Sequence, residues 1–347
     1  MNTYDIQSMT INEINDVVTQ WGEKGFRSKQ IFQWLHEKKI NTYDAMSNLP
    51  SALLDKLKQA YPIQHLKEVA KSEDAKDQTV KYLFELEDGQ LVETVLMVYK
   101  YGYSVCISSQ VGCRMGCTFC ASTLNGLTRQ LKPSEMLEQI YVIERQLKEP
   151  IHSVVIMGTG EPFDNYANVQ RFIELISHEK GRHLSRRHIT VSTCGIGDKI
   201  MRFAQDSPQV NLAISLHSPY QSQRQTMMPI AKKYPLDELM KTCHDYVQIT
   251  KRRISFEYSL IHNVNDTKQH AIDLAHLLEG LLCHVNLIPI NPVDEKDQKA
   301  SDMQHVLAFQ KQLSEYNIVS TIRRSLGQNI DAACGQLRNQ YRNNRQD

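Results

Sequence analysis

Residues 104–123 read SVCISSQVGCRMGCTFCAST: an apolar, strand-like run followed by a loop in which Cys113, Cys117 and Cys120 stand four and then three residues apart. Three cysteines so close together make a metal or cluster loop, not a core segment. Structural zinc sites pair cysteines as CxxC with a second pair farther along, which closes four ligands around the ion. No second pair follows here at that distance. Three thiolates on a cubane 4Fe–4S cluster leave one iron open to a small ligand, so a reactive cluster is the expected occupant and zinc the alternative.

Working outward, SVCISS is the first of six apolar runs, with HSVVIM, HITVST, VNLAIS, RISFEYSLI and CHVNLIPI after it. They alternate with helical stretches such as SEMLEQIYVIERQL, NVQRFIELISHE and LDELMKTCHDYV. Such alternation predicts a parallel sheet of right-handed βαβ units. Six units suit a partial (β/α)6 TIM-like barrel over residues 101–330, with ligands at the C-terminal ends of its strands. Ahead of it, residues 1–62 carry helical periodicity, with Ser28 and Ser51 placed as N-caps. Residues 63–100 turn to β-rich runs, TVKYLFEL and LVETVLMV, around an Asp88-Gly89 hairpin signal. Residues 331–347 form a C-terminal segment with Cys334 and a basic, polar tail.

A chain of 347 residues accommodates one large domain and an added unit. It has no run of about 18 apolar residues and opens on a polar, acidic stretch, so neither a membrane span nor a signal peptide is expected and the cytoplasm is. In that reducing compartment eight cysteines point to metal or thiol chemistry, not to a disulfide framework. A net charge of +1 does not itself indicate a nucleic-acid partner. The basic residues are bunched, however, at 180–187, 251–253 and 338–345, and such clusters can meet phosphates.

CxxxCxxC in the loop after the first strand of a six-unit β/α array resembles the radical S-adenosylmethionine (SAM) enzymes. The resemblance implies that the open iron chelates the amino and carboxylate groups of SAM, and that an electron from the cluster cleaves it to a 5′-deoxyadenosyl radical. Phe119, between the last two cysteines, fits the same pattern. Gly158-Thr-Gly160-Glu161-Pro162 looks like the family's glycine-rich segment, which approaches the methionine amino end. Ser192, then Ser215, Leu216 and His217, and finally Asn291 fall at strand C-termini and are the other expected SAM contacts.

The stretches SVCISSQVGCRMGCTFCAST, VVIMGTGEPFDN, RRISFEY and NIDAACGQLR are similar to the RlmN type of adenine-C2 RNA methyltransferase. Carbon 2 of adenine is an electron-poor amidine carbon and cannot take a methyl group from SAM by simple displacement. The resemblance implies that Cys334 accepts a methyl from one SAM and that a second SAM yields the radical, making two per turnover. Cys106 then releases the covalent product by forming a transient disulfide with Cys334, and Glu93 is the proton acceptor. It implies 23S rRNA and tRNA as partners, a flavodoxin-type electron donor, a monomer, and an RNA-binding role for the helical N-terminal unit. The alternatives are a Cfr-type enzyme acting at carbon 8 and a zinc-stabilised, non-catalytic RNA-binding protein.

Overall fold

The computed structural model describes residues 5–290 and 299–323, so Asn291 and Cys334 lie outside the described residues. The chain opens with α1 (Ile11–Gln20), α2 (Phe26–His36) and α3 (Ser51–Ala60). Thr10 caps α1 through a reciprocal pair with Glu13, which satisfies two otherwise orphaned N–H donors. The other two starts differ from expectation. Gly25 occupies the cap position of α2, where Ser28 already sits in the first turn and donates to the Gly25 carbonyl at 2.7 Å. Pro50 precedes α3, with Ser51 as its first residue.

Four antiparallel strands follow: β1 (Lys67–Glu73), β2 (Val80–Glu85), β3 (Leu91–Tyr99) and β4 (Gly102–Cys106). Gly89, at φ +76°, makes the turn between β2 and β3. After β4 come a small hairpin, β5 (Gln110–Gly112) with β6 (Leu127–Gln130), and then α4 (Pro133–Leu147). The chain continues through β7 (Ile151–Ile156), α5 (Tyr166–Ser177), β8 (Ile189–Thr193), α6 (Gly197–Asp206) and β9 (Asn211–Ser215). It then forms α7 (Gln221–Met227), α8 (Leu236–Thr250), β10 (Ile254–Leu260), α9 (Lys268–Leu277), β11 (Cys283–Pro289), α10 (Met303–Glu315) and β12 (Ser320–Ile322).

One ten-stranded sheet runs β1-β2-β3-β4-β7-β8-β9-β10-β11-β12, and every pairing from β4 onward is parallel. This is the expected partial barrel. The β-rich segment is not detached from it, because β3 pairs with β4 and extends the same sheet.

Strand alternation explains how the sheet holds a polar interior. In β7, Ile151, Val154 and Ile156 are buried on the helix side, while Ser153 and Val155 face the other way. Register carries that second face across the sheet: Lys81 stands opposite Val95, Val95 opposite Cys106, and Cys106 opposite Val155. Farther along, Ser192 faces Ala213, Ser215 faces Glu257, and Glu257 faces Asn286. The concave face is therefore lined with polar groups, and the apolar side chains of the other face lie under the helices.

The N-terminal helices share the barrel's core, with Ile31, Phe32 and Leu35 in the same buried cluster as Ile140 and Phe172. Polar ties cross the seam as well. Glu13 takes two bonds from Arg171, at 2.9 and 3.1 Å, and His36 meets the Tyr141 hydroxyl at 3.1 Å.

Candidate active site

The segment from Ile107 to Leu131 is pinned at the C-terminal end of the barrel strands by its backbone. The N–H groups of Ser109 and Gln110 donate to the Thr159 carbonyl, Gly158 N–H donates to Ile107, and Thr118 N–H donates to Met227. Gln110 and Arg114 both reach Asp164. These ties fix the loop that carries Cys113, Cys117 and Cys120. All three cysteines line one cavity, together with Met115, Phe119, Ser122, Met157, Gly158, Gly160, Glu161, Ser192, Ser215, His217 and Glu257.

Of the expected SAM contacts, Gly160, Glu161, Ser192, Ser215 and His217 thus line the cavity with the cysteines. Glu161 is buried, its carboxylate accepting the Phe163 N–H at 2.9 Å and the Cys194 N–H at 2.7 Å. Burial pushes its pKa up, and those two backbone donors oppose the shift. His217 has a left-handed backbone, φ +59°, and its Nδ1 accepts the Ser259 N–H at 2.9 Å. Burial, helped by the Arg224 charge, holds its pKa down at about 3. The ring is neutral at pH 7, and since Nδ1 accepts, Nε2 carries the hydrogen. Ser192 and Ser215 line the cavity, whereas Leu216 is fully buried in the core.

Gly160 and Gly158 are needed by the protein itself. At Gly160 (φ +116°) a Cβ would lie 2.7 Å from Gln110 Cβ, and at Gly158 it would lie 2.7 Å from the Ile107 carbonyl oxygen. Their close approach is to the cysteine-bearing segment.

Glu93 and Cys106 lie deeper on the concave face. Cys106 is buried in a small cluster with Val95 and Met97, against which Val155 and Met157 pack. Met157 also lines the cysteine cavity, so the two places adjoin. Glu93 is 3% exposed, and its Oε2 is 3.4 Å from Nζ of the fully buried Lys81.

Sequence reasoning missed Lys81, Glu257 and Arg224. Asn286 donates to Glu257 at 2.8 Å. Arg224 is fully buried and donates to the Cys194 carbonyl at 2.7 Å, while its Nε and Nη1 have no partner among the described residues. For Lys81 and Glu257 the available signal was a charged residue between apolar neighbours in a strand, whereas Arg224, in the polar stretch QSQRQTM, carried none. The basic clusters, in turn, are partly committed to the fold: Arg182 bonds Glu144 and Arg252 bonds Asn211.

A half-barrel of parallel strands with a three-cysteine loop after its first parallel strand defines a radical SAM domain, and residues 107–275 match the radical SAM superfamily. Residues 4–63 match the ribosomal RNA large subunit methyltransferase N-terminal domain. A "probable dual-specificity RNA methyltransferase RlmN" from Lachnospira eligens is 51% identical over 97% of this chain and 96% of its own length. One of the same name from Lachnoclostridium phytofermentans is 49% identical over 97% and 95%. A radical SAM methyltransferase from Sphaerobacter thermophilus has a crystal structure that superposes with a TM-score of 0.92, at 40% identity, covering 96% of this chain and 98% of its own. The chain belongs to the RlmN family of radical SAM enzymes. No helix among the described residues is long and apolar enough to cross a membrane.

The site's chemistry fits the cluster and the SAM that membership implies. Burial, followed by the charges of Cys120, Glu161 and Asp164, pushes the Cys113 thiol up to about 12, and burial likewise raises Cys117. Thiolates there need a cation to offset them, as iron does. Among the described residues no three His, Cys, Asp or Glu side chains close around a single ion point. The three cysteines line the cavity together with Ser122, whose buried hydroxyl has no partner among the described residues. A neutral donor on His217, two serine hydroxyls and the Glu161 carboxylate suit a ligand with an ammonium group and a ribose.

Proposed function

We propose that this enzyme methylates carbon 2 of an adenine in 23S rRNA and of the adenine beside the anticodon in tRNA, consuming two SAM per turnover. The observation that carries this reading is the placement of Glu93 and Cys106 on one concave face that runs into the three-cysteine cavity. The relatives' names support carbon 2 over the carbon 8 of a Cfr-type enzyme, and superfamily membership sets the zinc-module alternative aside.

Cys113, Cys117 and Cys120 hold the cluster, and Gly160, Glu161, Ser192, Ser215 and His217 surround SAM, with Leu216 contributing backbone. When bound, cluster and SAM supply the 5′-deoxyadenosyl radical. Cys334 first takes a methyl group on its sulfur. That methyl carbon, once a hydrogen atom has passed to the deoxyadenosyl radical, adds to adenine; with the loss of one electron, which the cluster would take back, and of the carbon-2 proton, the RNA is tied to the protein through a thioether. Glu93 accepts a proton. Cys106 then attacks the Cys334 sulfur as a thiolate: the sulfur–carbon bond breaks toward the product, whose carbon takes up a proton to complete the methyl group, and a transient disulfide forms, which external thiols reset. Because the face is buried, the target base leaves its stack to reach it. Asn291 and Cys334 belong to this reading through the family alone, as do the flavodoxin-type donor, the monomeric state and RNA binding by the N-terminal helices.

The test is mass spectrometry of RNA from cells lacking and regaining the protein. We expect 2-methyladenine to vanish and return. The appearance of 8-methyladenine would move the assignment to carbon 8, and no change in methylation would overturn the reading.

A further inference from the structure

Lys81 is fully buried, as is Glu93 beside it at 3.4 Å. Both stand on the concave face, where Val95 lies opposite Lys81 on one side and opposite Cys106 on the other. Glu93, two residues before Val95, is therefore a diagonal neighbour of Cys106 on the adjacent strand. Replacing a buried ion pair by apolar side chains of similar volume is often neutral for stability, so the fold alone gives no reason to keep one here. A carboxylate in such a place, in contrast, needs a nearby positive charge and a fixed orientation. Among the described residues, the titratable side chains that register puts on this face of β1 to β4 are Lys67, Lys81, Glu85, Glu93, Tyr99 and Cys106. Lys67 pairs with Glu85 near the outer edge, and Tyr99 stacks on Tyr101, so Lys81 is the cation placed to serve Glu93.

We propose that Lys81 is the positioning residue of Glu93, supplying the charge that holds its carboxylate, aimed along the concave face, next to Cys106. The proposal rests on Glu93 being the proton acceptor of the reaction described above. Without the ammonium the buried carboxylate loses its partner and its fixed orientation beside Cys106.

The test uses the full-length, cluster-loaded enzyme with an RNA substrate. In Lys81→Met we expect methyl transfer at pH 7 to fall about 100-fold, within the span of proton-transfer catalysis. Iron content and 5′-deoxyadenosine formation should stay at the parent's level. Lys81→Arg should restore most of the rate. Lys81→Gln, which keeps a hydrogen-bond donor without the charge, stands in if the methionine variant does not fold and should behave like it. A neutral variant with the parent's rate overturns the proposal. Parallel loss of iron, SAM cleavage and transfer, or an arginine variant no better than glutamine, overturns it too, being the mark of a structural role. A parent enzyme that itself transfers no methyl to adenine removes the reading of the reaction and this proposal together.

Discussion

The Glu161 carboxylate takes the Cys194 backbone N–H at 2.7 Å while its other oxygen takes the Phe163 N–H at 2.9 Å, tying the loop after β7 to the end of β8. Glu161 thus shapes the wall of the cavity before any ligand arrives. A glutamine there has one carbonyl oxygen for two donors and must turn an NH2 group toward one of them. Bonds to a charged acceptor contribute about 1.5 to 3 kcal/mol. Glu161→Gln should therefore lose roughly 2 kcal/mol in urea unfolding and bind SAM weakly in calorimetry. A variant with parental stability would show that neighbouring bonds hold the two loops.

Gly160 offers a cleaner steric test. A Cβ added there meets Gln110 Cβ at 2.7 Å in a backbone region that side chains rarely adopt, whereas Gly126, at φ +63°, has open space around the same position. Gly126→Ala should cost about 1 to 2 kcal/mol, the left-handed penalty alone. Gly160→Ala should cost clearly more and release the cysteine loop, seen as lower iron retention after desalting. Equal costs at the two positions would contradict the contact.

The barrel was legible because its strands bury one face under helices, and the Val- and Ile-rich runs broadcast that burial. Asp88-Gly89 announced its turn for a similarly local reason. Two kinds of feature were hidden. TVKYLFEL reads as a strand with a wet face at Lys81, yet the sheet curves and that face is the interior. Polar alternation cannot by itself distinguish solvent from a polar cavity. Likewise the glycines of GTGEP pointed to close approach without saying to what. The partner is the Ile107–Gln110 segment, contacts about 50 residues apart in sequence that only the fold brings together. The three cysteines, by contrast, stand close together in sequence, so their meeting at one cavity was legible.

Two buried histidines should make the protein acid-sensitive. His36, surrounded by Phe32 and Tyr141, and His217 are both held down at about 3, mainly by burial. The unfolded chain protonates each near pH 6.5, the folded one only near 3, so the unfolded state binds more protons between those values and stability falls as pH falls through that window. Each full proton difference is worth about 1.4 kcal/mol per pH unit. Urea midpoints should drop between pH 7 and pH 5 by an amount equal to about 2 kcal/mol per histidine. In His36→Gln the drop should shrink by about half of their joint contribution; an unchanged drop would assign the sensitivity to other groups.

The proposed reading gives the cysteines two tasks that iron analysis can separate. Cys117 lines the cavity, and losing it should cost the cluster, so Cys117→Ser purified anaerobically should lack the brown absorbance and make no 5′-deoxyadenosine. Cys106 sits in its own apolar cluster on the concave face, so Cys106→Ala should keep iron and SAM cleavage. What it should lose is release. The RNA should remain bonded to the protein, visible as a retarded gel band that ribonuclease removes and mild thiol does not. Cys334→Ala should also keep iron but give no such band, because the methyl carrier is gone. Multiple turnover by Cys106→Ala would exclude it as the releasing thiol, while leaving the cluster assignment of the other three intact.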